Sequence, residues 1–127
     1  MSTTSSTVTS AFVDAIVARD FAGARRLLHP EIDFRAMTPR KIWEAADPEQ
    51  VEEVLRAWLD DPDEDITGVE AVAGAIVADT DRAGWRVRGT GPDGAFTFEQ
   101  QAFLRERDGQ IGWLRIMCSG TRPAGAA

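Results

Sequence analysis

Residues 47–66 read DPEQVEEVLRAWLDDPDEDI, and the hydrophobic period changes within them. Asp47 is a helix N-cap residue, and Pro48 fits the first helical position. Glu49 puts a negative charge in the first turn, and Gln50 has the reach to bond back to the cap. Val51, Val54, Leu55, Trp58 and Leu59 recur at spacings of three and four, which places them on one helical face. The acidic run Asp60, Asp61, Asp63, Glu64 and Asp65, broken by Pro62, ends that pattern. From Ile66 the apolar residues alternate with a period of two, the signature of strands.

Upstream, Val8, Ala11, Phe12, Ala15 and Ile16 share one helical face, with Ser and Thr residues before them as caps. Asp20 caps a second helix carrying Phe21, Ala24, Leu27 and Leu28. His29-Pro30 is expected to end it, because the residue before a proline is pushed out of the α region. Residues 31–37 alternate, with Ile32, Phe34 and Ala36 on one side and Asp33 and Arg35 on the other. Thr38-Pro39 breaks this strand, and residues 41–46 form a short returning strand with Trp43 opposite Ile42 and Glu44. Downstream, strands are expected at 66–78, 83–90, 95–107 and 111–119, with turns at 79–82, 91–94 and Asp108-Gly109. Ala73-Gly74 marks a bulge or a turn in the first of these. Two helices, a strand pair, a third helix and an antiparallel meander make an α+β layer architecture. The expected organisation is one domain over residues 1–127, with its core at 7–122 and loose tails at 1–6 and 123–127.

The 127 residues carry a formal charge of −7, which argues against a phosphate-backbone binder. One cysteine, Cys118, excludes an internal disulfide and a cysteine-rich zinc site. One histidine, His29, argues against a Ser-His-Asp triad, and its place at a helix end suits capping or packing. The acidic run at 60–65 lacks calcium-loop spacing and reads as a solvated loop. The apolar run at 71–78 is far short of the ~20 residues that span a bilayer, and residues 1–10 lack the pattern of a secretory leader. The expectation is a cytoplasmic protein with no metal, cofactor, nucleic acid or membrane partner.

The element order resembles the nuclear transport factor 2-like superfamily, which includes ketosteroid isomerase and SnoaL-like polyketide cyclases. Residues 12–21 (FVDAIVARDF), 27–34 (LLHPEIDF) and 107–111 (RDGQI) carry that resemblance. Glu99-Gln100-Gln101-Ala102-Phe103 and Cys118-Ser119-Gly120 resemble an actinobacterial SnoaL-like branch. The resemblance implies a cystatin-like α+β barrel: a cone-shaped, curved antiparallel sheet wrapped around three N-terminal helices, with a pocket at the open end. It also implies a homodimer through the outer sheet face, and Trp113, Arg115 and Met117 suit such a surface. Ketosteroid isomerases use an Asp base, a Tyr and a protonated Asp. The resemblance aligns those positions with Ala36, Phe12 and Gln101, so all three depart, and the chain has no tyrosine at all.

Alternation groups Glu99, Gln101 and Phe103 on one face of their strand, and Leu114, Ile116 and Cys118 on one face of the last. The family register turns both sets toward the pocket. With Phe12, Phe34, Trp43 and Trp58 they would line an apolar small-molecule cavity. Glu99 would act as general acid or base there; its competing reading is an ion pair with Arg86 or Arg88. Gln101 would hold a ligand carbonyl or else bond the backbone. Cys118 reads better as an inert thiol than as a nucleophile. Two functions stay open at this point. One is a cofactor-independent cyclase- or isomerase-type enzyme acting on an apolar, carbonyl-bearing or polyketide-like substrate. The other is a non-catalytic binding module or dimerisation scaffold of the same fold.

Overall fold

The computed structural model describes residues 7–124. The order is α1 (Thr7–Ala18), α2 (Phe21–Arg26), β1 (Leu28–Thr38), β2 (Lys41–Ala45), α3 (Pro48–Leu59), β3 (Asp65–Val77), β4 (Thr80–Gly91), β5 (Gly94–Arg107), β6 (Gln110–Cys118) and β7 (Arg122–Pro123). The caps act as their sequences dictate. Gly23 N–H donates to Asp20 and Gln50 N–H to Asp47, each at 2.9 Å, while Gln50 Oε1 accepts from Ala46 N–H at 2.9 Å. No described helix is long and apolar enough to cross a membrane.

The strands form one curved, unclosed sheet in the order β2-β1-β6-β5-β4-β3, with β7 paired to the start of β5. Every pairing is antiparallel except β1 with β6, so the sheet is mixed where an antiparallel one was expected. The reason lies in connectivity: β1 and β6 are far apart in sequence, and no hairpin constrains their directions. A register shift between Val72 and Ala75 shows that Ala73-Gly74 is a bulge. β1 begins at Leu28, so His29-Pro30 lies inside a strand instead of ending a helix. There His29 is buried, accepts from Glu31 N–H at 3.0 Å through Nδ1 and sits 3.4 Å from Asp108.

The helices cover one face of the sheet. Phe12 and Ile16 of α1 and Val51, Leu55 and Leu59 of α3 meet Ile32, Phe34, Trp85, Leu104 and Leu114 in one core. Phe12 stacks edge-on against Trp85 at 6.2 Å. Fully burying side chains of this size contributes about 1.5–3 kcal/mol each, and this packing sets which face of each strand points inward. On β5 the inward set is Phe96, Phe98, Gln100, Ala102 and Leu104.

Candidate functional site

At one end of the helix-covered side lies a cavity of about 320 Å³. Its walls come from five elements. Thr38 and Pro39 close β1, Trp43 comes from β2, Trp58 from α3, Phe98 and Gln100 from β5, and Cys118 from β6. Glu64, in the loop before β3, and Gly120 complete the wall.

The aromatic packing is continuous. Trp58 meets Trp43 edge-on at 5.8 Å and lies 6.5 Å from Phe34, while Lys41 Nζ sits 3.7 Å over the Trp43 ring. Trp43 Nε1–H donates to Thr38 Oγ1 at 2.9 Å. Trp58 Nε1 is buried with no hydrogen-bond partner among the described residues. Gln100 is 1% exposed; its Oε1 accepts from Trp85 Nε1–H at 2.7 Å, and among the described residues its Nε2 has no partner either. A buried donor left unpaired costs about 1–3 kcal/mol.

Among the described residues lining the cavity, the one carboxyl belongs to Glu64. Burial, and then the neighbouring charges of Asp61 and Asp63, raise its pKa above the ordinary glutamate value. Cys118 Sγ accepts from Gly120 N–H at 3.4 Å. Gly120 has a φ of +83°, and a β-carbon there would come within 2.7 Å of Pro39, so this corner of the wall needs glycine.

Among the residues expected from sequence to line a pocket, Trp43, Trp58 and Cys118 do so. Phe12, Phe34 and Leu114 are core residues, at most 1% exposed. Ile116 and Phe103 line a separate groove of about 360 Å³ with Met37, Ile42, Arg115 and Met117. Glu99 and Gln101 do not reach the cavity. They share the face opposite the buried set of β5, where Glu99 Oε1 accepts from Arg86 Nη2 at 2.9 Å and Glu99 Oε2 from Gln101 Nε2 at 2.9 Å. The hydrogen bond to Glu99, and then its charge, raise the Arg86 pKa. The ion-pair reading of Glu99 is therefore the observed one. The error was one of phase: the greasier alternate set, Phe96, Phe98, Ala102 and Leu104, already marked the inner face of β5. Gln100 sits in that set. Glu64 was hidden inside an acidic run read as solvated.

With this geometry in place, the relationships of the chain are informative. The sequence model of the SnoaL-like domain matches residues 9–112. This chain belongs to the SnoaL-like domain family, within the nuclear transport factor 2-like superfamily. No curated protein matches its sequence. Solved structures similar to this SnoaL-like domain include a protein with a ketosteroid isomerase-like fold from Catenulispora acidiphila, in complex with trimethylamine. It has 13% identity and a TM-score of 0.68, over 89% of this chain and 85% of that one. An LEH-like epoxide hydrolase from M. tuberculosis aligns with 12% identity and a TM-score of 0.62, over 88% and 80% of the two chains. A protein from work on de novo design of diverse pocket structures aligns with 15% identity and a TM-score of 0.67, over 87% and 95%. At these identities the likeness is one of fold, and the SnoaL-like domain's chemistry has to be argued from its own cavity.

Proposed function

We propose that this SnoaL-like domain takes an apolar, carbonyl-bearing small molecule into the cavity and acts on it as an isomerase- or cyclase-type enzyme without a cofactor. The observation that carries this reading is the apolar, aromatic-walled cavity with a single carboxyl group, Glu64, held toward its neutral form. A carboxyl tuned upward exchanges protons more readily near neutral pH than an ordinary glutamate. The polar role first read for Glu99 and Gln101 passes to Glu64 and Gln100.

The test is hydrogen–deuterium exchange at the carbon next to the carbonyl of added cyclic ketones, followed by NMR. Protein-dependent exchange that Glu64→Gln removes, with ligand binding retained, supports an enzyme. Binding with no exchange supports the binding-module alternative. Absence of binding across the panel sinks both.

The outer face supports a second proposal, a homodimer. Met117, Met37 and Ile42 align across β6, β1 and β2, and all three are more than half exposed. Arg115, Arg35 and Glu44 form the next row, and Asp33 lies across from Trp113. A patch holding an apolar row beside charges of both signs is self-complementary under a two-fold axis. Sedimentation should show a dimer that Met117→Glu converts to a folded monomer; a wild-type monomer at high concentration would refute it.

A further inference from the structure

We propose that the cavity's ligand carries one positively charged nitrogen, an alkylated ammonium on an apolar cyclic ketone, and that Glu64 is its counter-ion. This rests on the small-molecule reading above and names the charge that reading left open.

The chain supplies its own comparison. Three of its glutamates are partly buried: Glu52, Glu64 and Glu99. Glu52 meets Arg25 at 3.1 Å and Arg56 at 2.9 Å, and Glu99 meets Arg86 at 2.9 Å. Among the described residues Glu64 has no such cation. Its side chain is nevertheless folded onto the protein. A β-carbon on Gly91 would stand 3.6 Å from Glu64 Cγ and 3.9 Å from its Oε2, so the carboxyl lies against the end of β4, where Glu64 borders the cavity. The fold thus gives arginines to two partly buried glutamates and leaves the third, on the cavity wall, without one. Left alone, such a carboxyl tends to keep its proton; given a cation, it ionises.

The rest of the wall agrees. Among the described residues lining the cavity none is Lys, Arg or His, and the Cys118 thiol is the only titratable group besides Glu64. Asp61 and Asp63 add negative charge from Glu64's own loop, while Gly91 of β4 and Phe96 of β5, which share its corner, add none. Trp43 and Trp58 stand at 85° to one another with ring centroids 5.8 Å apart. Lys41 Nζ, 3.7 Å over the Trp43 ring, shows that an indole of this wall already holds an ammonium of the chain's own. Aromatic faces beside a carboxyl suit an alkylated ammonium, which is recognised by ring faces as well as by charge. A ligand carboxylate would meet Glu64, Asp61 and Asp63 and be rejected. The ammonium also changes Glu64. On binding, the carboxyl gives its proton to solvent and is left as carboxylate, the form that accepts a proton from carbon. The ligand's charge thereby readies the base that acts beside its carbonyl.

The experiment titrates the whole protein, by calorimetry, with three cyclic ketones: 1,1-dimethyl-4-oxopiperidinium, its neutral isostere 4,4-dimethylcyclohexanone, and 4-oxocyclohexane-1-carboxylate. Above the raised Glu64 pKa the cation should bind about ten-fold tighter than the isostere, and the anion weakest. Below it, where free Glu64 is protonated, binding the cation should release up to about one proton, read from the dependence of the heat on the buffer, and binding the isostere none. The cation's affinity should therefore rise with pH through that value. Glu64→Gln should abolish the proton release and cut the preference for the cation to about two-fold. Its affinity for the isostere should stay unchanged, which also reports that the variant folds. Equal affinity for cation and isostere in the wild type, or no proton released, overturns the proposal; binding of the isostere then leaves the small-molecule reading standing. An undiminished preference in Glu64→Gln overturns it as well. If that variant fails to fold, the wild-type ranking and proton count decide. If none of the three ketones binds, the small-molecule reading falls and this inference falls with it.

Discussion

Gln100 and Gln101 are neighbours in the chain and opposites in environment. Gln100 is buried against Trp85, is among the residues around the cavity, and its amide nitrogen has no hydrogen-bond partner among the described residues. Gln101 lies on the other face of β5 and donates to Glu99, which is itself clamped by Arg86. The amide chemistry is identical; only strand parity differs. On a pleated strand one residue is the full step from core to surface, so a one-place slip exchanges every candidate on the strand for its neighbour. For this sheet, function is assigned by phase before it is assigned by residue type.

Substitutions that treat the two faces alike test that comparison. The largest difference is expected at the next inward–outward pair. Leu104→Ala should destabilise by about 2–5 kcal/mol, since Leu104 is 2% exposed in the core. Phe103→Ala, in the outer groove, should cost under about 1 kcal/mol when measured on the monomer by urea denaturation. Equal losses would mean that β5 is inverted. The glutamines come next. Gln100→Leu strands the Trp85 N–H and should cost about 1–3 kcal/mol, against about 0.5 kcal/mol or less for Gln101→Leu.

A third effect depends on pH. Glu64 has a folded-state pKa raised by burial and then by Asp61 and Asp63. The fold therefore prefers its protonated form. Its contribution is fully present below the unfolded glutamate pKa and is lost as pH rises through the raised folded value. The stability of the wild type relative to Glu64→Gln should fall across that window in paired denaturation curves. A flat difference would place Glu64 in water. The smallest effect belongs to the outer ladder: Glu99→Gln should move the urea midpoint slightly, and added salt should shrink the shift further, because the Arg86 partner is exposed.

Much of the fold was legible because it depends on local period. The capped helix from Pro48 and the four long strands follow from capping chemistry and alternation, while Ala73-Gly74 was legible as an irregularity, either a bulge or a turn. The parallel pairing of β1 with β6 was not legible, because no connection within either strand dictates its neighbour's direction. In the site, Trp43 and Trp58 were expected from their aromatic character, and Cys118 from alternation together with the family register. Gln100 was missed although its apolar neighbours Phe98 and Ala102 announced a buried face; a borrowed register overrode that signal. Glu64 was illegible for another reason. Five carboxylates in six residues look alike in sequence, and only the folded chain selects the one turned toward an apolar wall. The unpaired buried donors on Gln100 and Trp58 show only as partners missing among the described residues, which no linear pattern encodes.

The parallel β1–β6 pair also has a kinetic consequence. Phe34 lies beside Leu114, about 80 residues later in the chain, whereas β3, β4, β5 and β6 meet through short turns. Loop-closure entropy makes the long-range pairing the slow and late one. The meander is then expected to assemble first, with β1, β2 and α3 docking onto its β6 edge afterwards. That docking step brings Trp43 and Trp58 opposite Gln100 and creates the cavity. In pulsed hydrogen exchange during refolding, amides of β4 and β5 should gain protection before those of β1 and β2. The reverse order would show that the N-terminal half organises the sheet.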